Sequence, residues 1–405
     1  MIAQRLAPRS APEVGDALRE CAHSNGAVRV EGGDTLRAMG YELDRPVIPL
    51  SMSKVHGMVA HEYHDLTCAV RAGTRLAAFD AALGERGQFV PLDAPQRAKA
   101  TVGGTLAAGW LGPRRHLYGR ARDAVIGTHT VLADGTLVRA GGMVVKNVTG
   151  YDMSKLYVGS FGTLGVLVQA NFKTLPLPPV RRVLLAPLPE GTRDRAAAQL
   201  WALPVPPAAA LCVEGFRKAI DGTDGIDGRV FVLLEGSQAL VDRATREIRS
   251  ALGRAGVPET AIVDTGAAAC FERVLDACIE NLGERSITFR VLGEPAGAVP
   301  RAVAARDAAH RCELFTDVLF DVMNGDLFLR VSDRDARTFD AKAEAFVDAL
   351  TAIAPHRAIV GGNARIRTAI DPWGRPPGAL ERMRGLKASF DPSRILNPGR
   401  FIGRI

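Results

Sequence analysis

The chain has 405 residues, with 51 Lys and Arg against 44 Asp and Glu, 47% apolar residues and 23% charged ones. That balance is globular and excludes a disordered or fibrous protein, and the length calls for two domains with a short appendage. No run of 18 apolar residues exists to span a bilayer, and no continuous apolar segment follows the opening MIAQRLAPRSAPEV, so neither a membrane helix nor a secretory signal is expected.

The first hundred residues alternate short apolar strands with helical stretches. Strands are predicted at Ala27–Val30, Pro46–Leu50 and Leu66–Arg71, and a helix over Thr74–Glu85 with Leu76, Phe79 and Leu83 on one face and Thr74 as its N-cap. His61 and His64 are three apart in a strand-and-turn region and, like His56, read as solvated turn residues rather than metal ligands. Ala124–Ala133 and Thr136–Ala140 flank Asp134-Gly135, the signal of a two-residue hairpin turn. Gly150–Val158 reads as helix and Leu164–Leu175 as a long strand.

LPLPPVRRVLLAPLP (175–189) has five prolines in fifteen residues, a density that interrupts regular structure and places a domain boundary near 178. Beyond it, strands at Val230–Leu234, Ile287–Leu292 and Leu327–Val331 alternate with long helices such as Arg337–Ile353, an α+β pattern. The last segment, 386–405, has the turn chemistry of a docked tail. The expected organisation is therefore 1–178, 179–385 and a tail over 386–405. The six cysteines form no CxxC pair and read as reduced thiols of a cytosolic protein, with Cys278 in a helical core stripe.

Glycine and charge both concentrate in 101–170. That segment holds 13 of the 42 glycines, and seven Arg and Lys against three Asp and no Glu, a field that would attract an anion. Two glycine loops suit phosphate. VRVEGGDT (28–35) ends a strand in consecutive amides that can form a nest, and TVGGTLAAGWLG (101–112) opens a helix whose first amides and dipole would favour a diphosphate. Neither GxGxxG nor GxxxxGK[ST] occurs, which disfavours a standard NAD-binding Rossmann domain and a P-loop NTPase. Nucleic-acid binding through Arg114–Arg122 lacks stacking aromatics beyond Trp110 and Tyr118.

In order, VRVEGGDT, TVGGTLAAGWLGPRRHLYG (101–119), GRARDAVIG (119–127), ADGT (133–136), KNVTGYD (146–152), GSFGTLGV (159–166) and the tail DPSRILNPGRF (391–401) resemble the FAD-binding domain of the vanillyl-alcohol oxidase superfamily, the PCMH type. Within it the chain is similar to the FAD-binding subunits of bacterial glycolate oxidase. The resemblance covers nearly all of the first domain and the tail. It implies an α+β fold: a PCMH-type two-subdomain FAD-binding domain with an α+β cap or substrate domain. By the resemblance Glu31, Gly32, Gly33, Asp34 and Thr35 would wrap the pyrophosphate, with Thr101, Gly103 and Gly104 on its other side. Gly109 and Gly112 would permit close approach, Asp123 and Val125 would lie beside the cofactor, and Gly162, Gly165 and Val166 would hold the adenine end.

Departures from the family carry information as well. Covalent-flavin members have a His in the first loop or a Cys in the second; this chain has Asp34 and Thr35 in the one and neither residue in the other, which implies non-covalent FAD. The catalytic partner subunit usually has a Glu where Phe161 stands and a histidine cluster in its second domain, whereas only His310 and His356 follow residue 178 here. In VGGNARIR (360–367) Asn363 stands where some relatives have His. Arg290, Asn363 and Arg365 are the candidate catalytic residues. The function expected is an FAD-dependent glycolate or other 2-hydroxyacid oxidoreductase subunit, taking hydride from the α-carbon or relaying electrons beside a second flavoprotein subunit and an iron–sulfur subunit, in the cytoplasm or at the inner membrane through its complex. The alternative is an assembly subunit with a vestigial FAD pocket.

Overall fold

The computed structural model describes residues 5–144, 151–189, 191–216, 228–257, 259–280, 283–362 and 364–405. The chain begins with a helix, Ala11–His23, whose N-cap Ser10 accepts from the Glu13 amide while the Glu13 carboxylate accepts from Ser10 Oγ and the Arg9 amide. Val14, Leu18 and Cys21 form its buried stripe. That stripe packs with Val28, Leu50, Val166, Ile395 and Leu396 in a small core under the parallel pair β1 (Val28–Glu31) and β2 (Ile48–Ser51).

An antiparallel sheet follows. It is built from β3 (Met58–Glu62), β4 (Thr67–Arg71), β6 (Val125–Val131), β7 (Leu137–Gly141) and β8 (Val166–Lys173), in the order β3-β4-β8-β6-β7. A minor pair, β5 (Gln88–Phe89) with β9 (Leu175–Pro176), closes one side. The helix predicted from residue 74 runs over Leu76–Gly84 with Leu76, Phe79 and Leu83 buried, but Thr74 does not cap it. Thr74 Oγ1 is occupied with the Gly57 amide and the Arg71 carbonyl, holding two loops together, and the N-cap is Arg75. The hairpin at Asp134-Gly135 forms with a longer turn. The Leu132 amide donates to the Thr136 carbonyl and the Gly135 amide to Leu132, so three residues turn the chain, with Gly135 at φ +81°. Only Ser154–Tyr157 of the helix expected over 150–158 is helical, and residue 150 lies outside the described residues.

The proline-rich stretch 175–189 contains a strand, contrary to expectation: β10 (Val180–Pro187) lies between its prolines and pairs on both sides. The prolines fall before it and at its end, where no interior ladder hydrogen bond is forfeited. With β11 (Ala209–Glu214), β12 (Gly228–Gly236), β13 (Ala261–Val263), β14 (Ser286–Val291), β15 (Phe315–Asp321), β16 (Leu327–Ser332) and β17 (Arg357–Gly362) it forms an eight-stranded antiparallel sheet, ordered β13-β10-β12-β11-β15-β16-β14-β17.

The strands of this sheet alternate. Val230, Val232 and Leu234 face a core shared with the helices Arg193–Trp201, Gln238–Arg254, Ala298–Arg311 and Ala336–Ile353. Phe231 and Leu233 face the opposite core, which is continuous with Phe79, Leu106, Trp110 and Phe172 of the first half. The cap sheet is thus buried on both faces. Tyr and Trp side chains are few in the core, and its largest fully buried side chains are Phe and Leu.

Residues 395–400 return to the beginning of the chain. Leu396 bridges Val28 in parallel, the Val28 amide donates to the Ile395 carbonyl, and the Asn397 amide donates to the Val28 carbonyl. β1 therefore has β2 on one side and the tail on the other.

Candidate functional site: a glycine-lined cleft

The end of β1, the helix Val102–Ala108, the turn at 160–166 and the tail converge on one cleft with two adjoining lobes. They enclose about 470 and 600 Å³ of space, part of it open to solvent. Val30, Gly32, Thr101, Gly104, Ala107, Phe161 and Asn397 line both. The first lobe adds apolar walls from Met52, Ala72, Val166 and Leu167, and the second adds the loop Glu31–Arg37 and Arg400.

The loop after β1 needs its glycines for space. A Cβ on Gly32 would run into the Thr101 hydroxyl, and one on Gly33 into the Lys99 carbonyl. The main chain is pressed against residues 99–101 on one side, and Asp34 turns it back at φ +55°. The amides of Gly32, Gly33, Asp34 and Thr35 have no hydrogen-bond acceptor among the described residues. Consecutive unpartnered amides in a turn form an anion-binding nest.

The second loop behaves differently from the sequence-based expectation. The amide of Val102 donates to the Thr74 carbonyl, that of Gly103 to Ala72, and that of Gly104 to Thr101 Oγ1. The first amides of this seven-residue helix are consumed within the protein, so they are not the free donors expected of them. Gly104 contributes shape, lining both lobes without a side chain, and Gly103 packs against Ala72. At the third loop, Phe161 (φ +56°) and Gly162 (φ +65°) are both left-handed, and the amides of Gly162 and Gly165 have no acceptor among the described residues. A Cβ on Gly165 would meet Thr130 at 2.5 Å.

The expected cofactor residues therefore divide. Glu31, Gly32, Gly33, Asp34, Thr35, Thr101, Gly103, Gly104, Gly162, Gly165 and Val166 come together around the two lobes. Gly109, Gly112, Asp123 and Val125 line neither. Gly109 is the left-handed C-cap of the helix Val102–Ala108, with Gly159 2.9 Å from where its Cβ would stand. Gly112 lies against the Asp93 side chain, Asp123 accepts from the Arg120 amide, and Val125 starts β6 in the core. The KNVTGYD motif falls largely outside the described residues.

Several cleft residues carried no distinct signal. Asn397 joins three elements: its Nδ2 donates to the Phe161 carbonyl at 2.6 Å, its Oδ1 accepts from the Val30 amide at 2.9 Å, and its main chain pairs with Val28. Phe161 stacks on Phe401 at 5.1 Å, and both rings meet Trp373 edge-on. Lys387 donates to the Thr163 and Leu396 carbonyls and pairs with Asp391, fastening tail to turn.

The basic excess of 101–170 is not a free field. Arg114 is buried with Asp93 beside it and Glu235 of β12 at 3.1 Å, and Arg115 bonds Asp326 at 2.8 Å. Both reach from the first half into the cap. Burial opposes charge on Glu235, yet Arg114 and Arg181 hold its carboxyl below the usual range. Arg290 belongs to the same seam: it pairs with Asp326, donates to the Leu111 carbonyl at 2.6 Å, and lies over the Trp110 and Phe328 rings. Its donors are engaged between the domains rather than presented to the cleft. Arg365 lies at the surface beside Asp340, and Asn363 lies outside the described residues. Among the described residues no group of His, Cys, Asp and Glu is arranged to hold a metal ion, and no helix is long and apolar enough to cross a membrane.

A nest of free amides beside an apolar lobe bordered by Gly103, Gly104, Gly162 and Gly165 fits a large cofactor that carries a diphosphate and a flat aromatic part. Comparison with known proteins agrees. Residues 2–153 match the FAD binding domain family. The fold is the PCMH type: p-cresol methylhydroxylase with substrate bound superposes with a TM-score of 0.72 at 16% identity, over 97% of this chain and 87% of that one. An alkyldihydroxyacetonephosphate synthase superposes at 0.70 and 17% identity, over 98% of this chain and 76% of that one.

Among related sequences, glycolate oxidase subunit GlcE of Escherichia coli K12 is 33% identical over 249 residues, 57% of this chain and 65% of that one. Glycolate oxidase subunit GlcD of Bacillus subtilis 168 is 26% identical over 427 residues, 98% of this chain and 88% of that one. The mitochondrial D-2-hydroxyglutarate dehydrogenase of Bos taurus is 35% identical over 175 residues, 43% of this chain and 32% of the enzyme. The matched stretch thus spans slightly under two thirds of GlcE and about a third of the bovine enzyme.

Proposed function

We propose that the chain is an FAD-binding component, of the GlcE kind, in a glycolate or related 2-hydroxyacid oxidoreductase, holding FAD non-covalently and relaying electrons beside a catalytic flavoprotein subunit and an iron–sulfur subunit. The observation that carries the reading is the cleft itself: four consecutive amides at Gly32–Thr35, without an acceptor among the described residues, line one lobe, and Gly104, Gly162 and Gly165 border the lobe adjoining it. An open cleft of this kind also speaks against a vestigial pocket, which would have no reason to remain unfilled. The similarity to GlcE and GlcD supports the substrate class and the subunit partners.

Bound FAD supplies two-electron acceptance from a substrate carbon and onward transfer. The residues of this chain bind and orient it. The amides of the first loop offer donors to the diphosphate, Thr101 props the loop through the space beside Gly32, and Met52, Ala72, Val166 and Leu167 exclude water from the apolar lobe. A base for the hydroxyl proton and a cation for the carboxylate would be needed for 2-hydroxyacid chemistry. Arg290 is spent on Asp326 and the Leu111 carbonyl, which favours the relay role over substrate oxidation in this chain.

The test is anaerobic titration of the purified chain with glycolate and with D-lactate. The expected result is a yellow protein that releases its flavin on denaturation and is not bleached by either acid alone. Bleaching without a partner overturns the relay assignment, and a colourless chain with no affinity for added FAD overturns the cofactor role.

A further inference from the structure

We propose that Arg400 is a diphosphate-binding residue, supplying from the tail the positive charge that the first glycine loop lacks. The assignment rests on the FAD reading above and adds to it a residue more than 360 positions away from that loop.

The loop carries anions of its own, and each is already held. Glu31 pairs with Arg29 and with Arg5 at 3.0 Å, Asp34 with Arg37 at 3.1 Å, and Glu42 with Arg367 at 2.9 Å. Arg400 has no carboxylate within ion-pair distance among the described residues. Its guanidinium donates only to main-chain carbonyls, Nη2 to Arg37 at 2.8 Å and Nη1 to Tyr41 at 3.3 Å. It lines the same lobe as Glu31–Arg37 and the free amides of Gly32–Thr35.

A guanidinium in such a place is costly. Burial pushes Arg400 down to about 10; Glu42 and Asp34 return part of the loss, while repulsion from Arg367 and Arg29 adds to it. It remains a cation at neutral pH, and with no carboxylate paired to it among the described residues an anion entering the lobe would supply the missing partner. A diphosphate diester carries two charges. The nest offers dipoles but no net charge, and Arg400 offers the fork of charged donors that phosphate oxygens favour. Its backbone is held for the purpose: Asn397 is fixed by Val30 and Phe161, the Arg400 amide donates to the Asn397 carbonyl, and the Tyr41 amide donates to the Arg400 carbonyl.

The experiment measures dissociation constants of FAD, ADP and riboflavin for the flavin-free full-length chain and its Arg400→Gln and Arg400→Lys variants, at low and high salt. Expected for Arg400→Gln is a loss of roughly tenfold or more in affinity for both FAD and ADP, with a weaker salt dependence than the unaltered chain and no change toward riboflavin, which has no diphosphate. Arg400→Lys should recover part of the loss, because charge returns without the fork. Unchanged FAD and ADP affinity in Arg400→Gln overturns the assignment. So does an equal loss toward riboflavin, which would mark general loosening of the cleft. Failure of the unaltered chain to bind either FAD or ADP overturns the FAD reading and this assignment with it, whereas tight binding that ignores the substitution overturns Arg400 alone.

Discussion

The Lys387 ammonium lies 2.6 Å from the Asp391 carboxylate, one helical turn along, with the Asp391 side chain fully buried. Neither partner is spare. Asp391 also accepts from the Ile395 and Leu396 amides, and Lys387 donates to the carbonyls of Thr163 and Leu396, so one ion pair fastens the tail to the third loop of the cleft. Burial lowers the Lys387 pKa, Arg394 and Arg45 lower it further, and Asp391 offsets part of the loss. Asp391→Ala should therefore cost about 3–5 kcal/mol by leaving a buried cation unpaired. Chemical denaturation of the two proteins measures it. Replacing both partners by apolar residues should cost less than the single change.

Glycine substitutions at the cleft should separate space from flexibility. Gly33→Ala drives a methyl into the Lys99 carbonyl, and Gly104→Val places a branched side chain into both lobes, its Cβ 3.0 Å from Thr101 Oγ1. Both should lose FAD retention, read as the flavin-to-protein absorbance ratio after desalting. Gly253→Ala, inside the helix Gln238–Arg254 with nothing within 4 Å, should keep full flavin and gain about 0.4–1 kcal/mol of stability. Full flavin in Gly104→Val would mean that the second loop does not border the cofactor.

The seam between the two halves predicts a pH effect. Burial, and then the neighbouring Asp326, raise Asp321 to about 7. An unfolded aspartate ionises near 3.9, so between about 4 and 7 the native state holds a proton that the unfolded state has lost. Stability contributed at this site is present in acid and falls as pH rises through that window. The melting temperature of the unaltered chain should drop more between pH 5 and pH 8 than that of Asp321→Asn, with the two curves converging toward acid.

Arg114 should be the costliest cation to remove from the seam. It serves Asp93 and Glu235 at once and is surrounded by the rings of Phe89, Tyr118 and Phe271. Arg114→Met keeps the volume but strands the buried Asp93 and leaves Glu235 with Arg181 alone, and a loss of about 3–5 kcal/mol is expected. Thermal unfolding measures it. Glu235→Gln alone should cost less, since Asp93 still pairs with Arg114.

What the sequence disclosed and what it hid follow one physical division. Consecutive glycines at 32–33 and 103–104 are local signals, because close backbone approach leaves no room for a Cβ wherever the partner is. The direction of free amides is not local. Val102 and Gly103 look like open donors in sequence, but the carbonyls of Thr74 and Ala72, some thirty residues earlier, take them. Thr74 looks like a cap for the same reason, until the Gly57 amide claims its hydroxyl. Arg114 and Arg115 look like a basic surface until Glu235 and Asp326 are brought against them. Asn397 and Arg400 stand at the opposite end of the chain from the loop they complete, so no spacing rule links them to it. The strand at Val230–Leu234, by contrast, was legible because its run of apolar residues is written in neighbouring positions, although which core each side chain faces was not.

The tail beside β1 also sets a schedule for biogenesis. The strand that begins the cleft is among the first pieces made, yet Asn397 and Arg400 arrive only after the whole cap has been translated. A nascent chain halted anywhere in the cap has its glycine turns but lacks both the clasp and the guanidinium. With Arg400 binding the diphosphate as proposed, coenzyme loading would follow synthesis of residue 400.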